Sequence, residues 1–191
     1  MTFDTFLKPW IGAACRHISD GATYDILDFR LAGQNRENRW NIYGEATLYL
    51  ASDHRVAVAE FARHFHEGIS PQEGRSERII RRAIARRIYD LHIRIEHALD
   101  LRDPALCAAL SLDNAPYCFL DREVARTTAC FLRRTTPTQA ILVPSMALFD
   151  QTERYVIVLF LDKLPTEPRV FISSGQPDGV FHFGDPDNKL D

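Results

Sequence analysis

The sequence predicts a single α+β domain with mixed and antiparallel sheets flanked by helices, on three observations. At 191 residues, 46% hydrophobic and 26% charged, the chain is long enough to bury roughly 70% of its unfolded surface around one core. Short apolar segments with strand periodicity recur at 46–51, 140–145 and 155–161. Helical segments lie between them without a regular βαβ rhythm, which disfavours a doubly wound parallel sheet.

Taken in order, Phe3, Phe6 and Trp10 precede a Gly-Ala-Ala stretch and then Cys15-Arg16-His17-Ile18, a short strand before the turn signal Ser19-Asp20-Gly21. Tyr24–Leu31 is weakly patterned, and Gly33–Asn38 is a polar loop leading to a turn at Gly44. In Ala46–Ala51 the alternation sends Leu48 and Leu50 to the core and Tyr49 to a different space. A helix from His54 to Phe65, capped by Ser52 or Asp53 and closed near Gly68, follows. Val58, Phe61, Ala62 and Phe65 form its expected buried stripe, which Ala57, Glu60 and His64 flank, so that Glu60 can border a cleft.

Residues 68–77 are rich in helix breakers. The cationic segment Arg78–Arg87 leads into Leu91, Ile93 and Ile95 alternating with His92 and Arg94, a strand pattern. Asp103-Pro104 opens a short helix and Asp121 caps a longer one to about Arg134. Ala140–Ser145 is a buried strand broken by Pro144, Tyr155–Leu161 a strand buried on both faces, and Arg169–Ser173 one more. The expected division is a catalytic domain over 1–173 and a loose surface tail over 174–191, anchored by Phe181 and Phe183.

A net charge of −3 and a pI near 6.2 argue against a general nucleic-acid binder, whose domain needs a basic excess. Cys15, Cys107, Cys118 and Cys130 form no CxxC pair and read as reduced thiols. His64 and His66 have no acidic partner at ligand spacing, so no metal site is expected. The first ten residues lack the pattern of a signal peptide and no run reaches the ~18 apolar residues of a membrane span, which predicts a cytoplasmic protein.

Arginines, a strand tyrosine, a helix glutamate and a serine at a strand end stand out as candidate chemistry. Singly, each has a bland explanation as a solvated, packing or turn residue. Their order adds more. Arg16 in Cys15-Arg16-His17, Asn38-Arg39-Trp40-Asn41 before Gly44, Leu48–Ala51, Ala57-Val58-Ala59-Glu60, Leu99-Asp100-Leu101 and Leu142-Val143-Pro144-Ser145 together resemble the RES-domain family, named for an arginine, a glutamate and a serine. The resemblance spans about Trp10 to Phe160. One departure is His17, where some members have tyrosine; Arg30 and Arg36 also stand as alternatives to Arg16 or Arg39 for phosphate binding.

The resemblance implies a fold related to ADP-ribosyltransferase toxins and an enzyme that consumes NAD⁺ as substrate, without a prosthetic group. Several such proteins are toxins of bacterial toxin–antitoxin pairs that degrade NAD⁺ by phosphorolysis, with phosphate as co-substrate, or by hydrolysis. Others modify a protein target. The implied partner is an antitoxin with a helix-turn-helix DNA-binding part that blocks the active site, forming an oligomer with the toxin. The implied catalytic residues are Glu60, Arg16 and Tyr49, with Arg16, His17, Arg39, Tyr49 and Ser145 on the substrate.

Those residue types suit the chemistry. With no GxGxxG turn, forked arginine donors must grip the pyrophosphate. Breaking the nicotinamide–ribose bond develops positive charge on the ribose, which a carboxylate at Glu60 would stabilise; the pyridinium departs neutral, so no general acid is needed. Tyr49 offers a flat face, and Ser145 a hydrogen bond to the ribose or the amide. A different class of reading makes the Arg78–Arg87 face a docking surface for a partner in a non-catalytic binding module.

Overall fold

The structure, a computed structural model, describes residues 3–68 and 85–182. Six strands and three helices are described: β1 Lys8–Ser19, β2 Thr47–Ala51, α1 His54–Gly68, β3 Ala85–Asp100, α2 Pro104–Ala109, α3 Arg122–Thr135, β4 Ala140–Pro144, β5 Tyr155–Phe160 and β6 Ile172–His182. The α+β expectation holds. The strand order is β1-β2-β5-β4-β3-β6 with β1 also paired to β3, so five strands close a circuit and β6 is added outside it. Only the β3–β4 pairing is parallel among the described strands.

Alternating side chains sort the core into layers. Leu142 of β4 and Ile157 and Leu159 of β5 point inward to meet Leu48, Leu50, Leu91, Ile93 and Ile95. Ile141, Val143, Val158 and Phe160, on the opposite face, pack under α2 and α3 against Leu106, Phe119 and Leu132. This explains why β4 and β5 read as continuous apolar runs: each is covered on both sides. Full burial of each such side chain is worth about 1.5–3 kcal/mol. A third cluster seats α1, with Val56 and Ala57 against Cys15, Ala51, Ile88 and Phe181.

Several local signals act as read. Asp103 caps α2 through Ala105 N–H, with Pro104 in the first turn, and Asp121 caps α3 through Glu123 N–H. Of the two candidates for α1, Asp53 is the cap: its Oδ1 accepts from Val56 N–H at 2.9 Å. Ser52 Oγ instead accepts from Tyr155 N–H at 3.2 Å. Gly33 and Gly44 have φ of +78° and +89°, and a Cβ at Gly33 would fall 1.9 Å from Glu45 O, so this loop requires glycine.

Four expectations need correction. The strand at Cys15 extends back to Lys8, because a weakly β-prone Gly-Ala-Ala stretch gains a full-length partner in β3. Residues 174–182, expected as loose tail, continue β6 along β3; the strand tolerates its Gly and Pro by lying at the sheet edge, with register shifts around Pro177. The strand expected at Arg169–Ser173 is a 3₁₀ turn over Pro168–Val170 followed by the start of β6 at Ile172. The buried side of α1 is centred on Val56 and Ala57 rather than on Val58, Phe61 and Ala62, which are only half-buried. Phe181 is the anchor expected of it; Phe183 and residues 78–84 of the cationic segment lie outside the described residues.

Candidate active site

A cleft of about 650 Å³ opens between α1, the end of β1, β2 and the loop before β2. Arg16, His17, Arg39, Tyr49 and Glu60 all line it. Residues far apart in sequence are thus brought to one surface.

Glu60 is the most constrained of them. Its Oε1 accepts from Ser145 Oγ–H at 2.7 Å and from Ala147 N–H at 3.1 Å. Its Oε2 accepts from Arg63 Nη2 at 3.0 Å and Nε at 3.2 Å, one helical turn on. A carboxylate offers about four lone-pair sites, and these four bonds hold it in one orientation. The side chain remains 17% exposed at the cleft wall.

Ser145 itself is fully buried where β4 ends, and its Oγ also accepts from Leu148 N–H at 3.2 Å. The structure therefore places it behind the carboxylate. It holds Glu60 from the far side, whereas the sequence reading put it against substrate. Pro144 ends the ladder and turns the chain so that Ser145 and Ala147 face α1.

Tyr49 also differs from a plain stacking platform. Its O–H accepts from Trp40 N–H at 2.9 Å and donates to Asn41 Oδ1 at 2.8 Å, while Trp40 is sunk against Phe119 with ring centroids 5.0 Å apart. Burial raises the Tyr49 hydroxyl above its usual range, so it stays protonated and a donor. Arg39 Nη1 donates to Phe119 O at 2.8 Å and Leu120 O at 2.9 Å. The Asn38–Asn41 motif thus has an anchoring function: it pins the cleft loop to α3 and β2. Arg126 Nη2 adds a bond to Asn38 O at 2.7 Å, and Arg122 pairs with Glu37.

Arg16 lies over the Phe29 ring, its guanidinium carbon 5.2 Å from the centroid, and donates to Ile26 O. Burial lowers its pKa to about 10, so it remains a cation at neutral pH. Neither alternative replaces it: Arg30 is exposed and paired with Asp28, Arg36 stacks on Tyr43, and neither lines the cleft. His17 Nδ1 accepts from Arg86 Nε at 3.1 Å, which leaves Nε2 as the protonated nitrogen. Burial, then the positive charges of Arg86 and Arg16, pushes the imidazole down to about 3, so His17 is neutral at physiological pH.

Sequence reasoning missed Arg63, Phe61 and Arg86. Arg63 follows Glu60 at i+3, a spacing that brings the two side chains together. Arg86 belongs to the cationic segment read as an outer face, yet it turns inward over the Phe61 ring at 4.9 Å and bonds Ser19 Oγ at 2.6 Å. Arg87 is paired with Asp20 at 2.7 Å. Arg86 is thus committed to the fold rather than to an outer face, whereas Arg87 stays part-exposed beside Asp20.

None of the four cysteines is in a disulfide. Among the described residues, the group able to hold a metal ion is Cys15, His54 and Asp90, of which Cys15 also lines the cleft. No described helix is long and apolar enough to cross a membrane.

A family model described as RES domain matches residues 14–183. The fold is similar to a chain in the crystal structure of the M. tuberculosis MbcT–MbcA toxin–antitoxin complex, with a TM-score of 0.66 at 18% identity, over 92% of this chain and 87% of that one. Comparison with the curated proteins gives no match.

Proposed function

The chain belongs to the RES-domain family, and we propose on that premise that its cleft binds NAD⁺ and breaks the nicotinamide–ribose bond by phosphorolysis or hydrolysis, as the toxin of a toxin–antitoxin pair. The observation that carries this reading is the Glu60 carboxylate, fixed at the cleft wall by Ser145, Ala147 and Arg63. A preorganised carboxylate in a cleft that arginines also line suits a substrate with an anionic diphosphate and a reacting centre that becomes cationic.

In the reaction, the C1′–N bond breaks and its electron pair moves onto the pyridinium nitrogen, releasing neutral nicotinamide. Glu60 faces the ribose carbon as it gains oxocarbenium character. An oxygen of phosphate or water then bonds to that carbon, and water loses its proton to solvent. Arg16 and Arg39, which both line the cleft, serve the diphosphate. Tyr49 and Trp40 keep the loop that carries Arg39 in place, and the neutral His17 presents Nε2–H as a donor to a polar substrate group. Ser145 acts through Glu60. On this reading the fold is a variant of the ADP-ribosyltransferase toxin architecture.

The M. tuberculosis neighbour is a toxin bound to its antitoxin; an antitoxin that covers this cleft is the partner proposed here. Incubation of the purified protein with NAD⁺, with and without phosphate, should release nicotinamide and leave either ADP-ribose 1″-phosphate or ADP-ribose. Absence of nicotinamide under both conditions, or undiminished release by Glu60→Gln, would refute the assignment. Label from NAD⁺ appearing on a macromolecule would move the acceptor to a protein.

A further inference from the structure

We infer that Cys15, His54 and Asp90 form a binding site for a thiophilic divalent ion, zinc by ligand chemistry, at a second cleft that shares Cys15 with the one lined by Glu60. The inference is independent of the NAD⁺ reading.

The topology brings the three together. Cys15 and Asp90 are direct cross-strand partners in the β1–β3 pairing. Cys15 also pairs with Ala51 at the end of β2, so the short connection from β2 into α1 carries His54, the first residue of that helix, to the same place. Linear spacings of 39 and 36 residues conceal this, because the cluster depends on two strand registers and not on a sequence motif.

Geometry suits an ion. Cys15 Sγ lies 3.3 Å from Asp90 Oδ1, and His54 Nε2 lies 2.8 Å from the same oxygen. All three ligand atoms fall within 4.8 Å of one another. Here one carboxylate oxygen contacts both the thiol and the imidazole, the convergence a shared ion requires. Tetrahedral zinc, with bonds of about 2.3 Å to sulfur and about 2.0–2.1 Å to nitrogen or oxygen, separates ligand atoms by about 3.3–3.8 Å. The observed separations reach that range with a small outward adjustment at the mouth.

Exposure permits the adjustment. Cys15 is 5% exposed and forms the floor, whereas the His54 and Asp90 side chains are 30% and 62% exposed and open onto a second, shallow cleft. A thiolate, an imidazole and a carboxylate form a ligand set that selects zinc or cobalt over magnesium or calcium, with a fourth position left to solvent. The thiolate and carboxylate neutralise a divalent charge. An ion at this point ties β1, β3 and the start of α1 to one another, the elements that carry Arg16 and Glu60.

The test uses the full chain, stripped with a chelator and titrated with Zn²⁺ by calorimetry and with Co²⁺ by absorption. One equivalent should bind, with a thiolate-to-cobalt band in the near ultraviolet and a rise in Tm. Cys15→Ser should remove the band, and Cys118→Ser should retain it. Loss of even an outer-sphere group costs about 10–100-fold in metal affinity, so Asp90→Asn and His54→Ala should each weaken binding at least about tenfold. His54 is surface-accessible, so its substitution tests the site without disturbing the core. No binding at micromolar metal, a band that survives Cys15→Ser, or affinity unchanged in both Asp90→Asn and His54→Ala would overturn the assignment.

Discussion

Ser145 Oγ donates a 2.7 Å hydrogen bond to Glu60 Oε1 across 85 residues of sequence, from a position that is itself fully buried. The serine therefore stands behind the carboxylate, and its removal should act through Glu60. A hydrogen bond to a charged group is worth about 1.5–3 kcal/mol, so Ser145→Ala should lower kcat for nicotinamide release by about 10–100-fold with KM little changed. A large KM increase at unchanged kcat would place Ser145 on substrate instead.

Glu60→Gln keeps the side-chain volume but removes the negative charge from the cleft wall. Loss of a preorganised electrostatic group costs about 10²–10³ in rate, so the variant should retain NAD⁺ binding while its turnover falls by that factor. Calorimetric NAD⁺ affinity measured beside turnover separates the two effects.

Tyr49→Phe leaves Trp40 N–H and Asn41 Oδ1 without the hydroxyl that joins them. Unsatisfied buried groups cost about 1–3 kcal/mol, which should appear as a lower urea midpoint. A phenylalanine ring supplies the same flat face, so if Tyr49 served only as a stacking platform the substitution would leave stability intact.

Arg39→Ala releases the Phe119 and Leu120 carbonyls as well as one cation from the cleft. Both stability and NAD⁺ affinity should fall. Arg39→Lys should recover part of the affinity by charge but little of the anchoring, because lysine cannot reproduce the fork. Parallel urea denaturation and KM measurement distinguish these contributions.

His17 gives a pH dependence of stability. Its folded pKa of about 3 lies below the ordinary 6.5, so below pH 6.5 the unfolded chain binds the extra proton first and stability falls as pH drops toward 3. The contribution lost between pH 7 and pH 5 is about 2 kcal/mol. Urea unfolding at the two pH values should show this slope in the wild type and a flatter one in His17→Gln.

Local and periodic features were legible in the sequence. The two-faced burial of β4 and β5, the inward Leu48 and Leu50 with Tyr49 turned away, and the Asp103 and Asp121 caps all follow from neighbours within a few residues, which set periodicity and capping. The residues that meet at the cleft could be nominated from the order of short motifs. Tertiary structure decided how they are used. Whether Ser145 faces substrate or Glu60 depends on where β4 ends relative to α1; whether Arg86 points outward depends on its register opposite Ser19. β6 is a strand because β3 offers it an unpaired edge, although its own Gly, Pro and Asp content favours a loop. Cys15, His54 and Asp90 share no sequence neighbourhood at all, and only the pairing of β1 with both β2 and β3 brings them within reach of one ion. Sequence determined which side chains were available and which faces they shared; long-range register determined which atoms meet, because a one-residue slip of a strand exchanges its two faces.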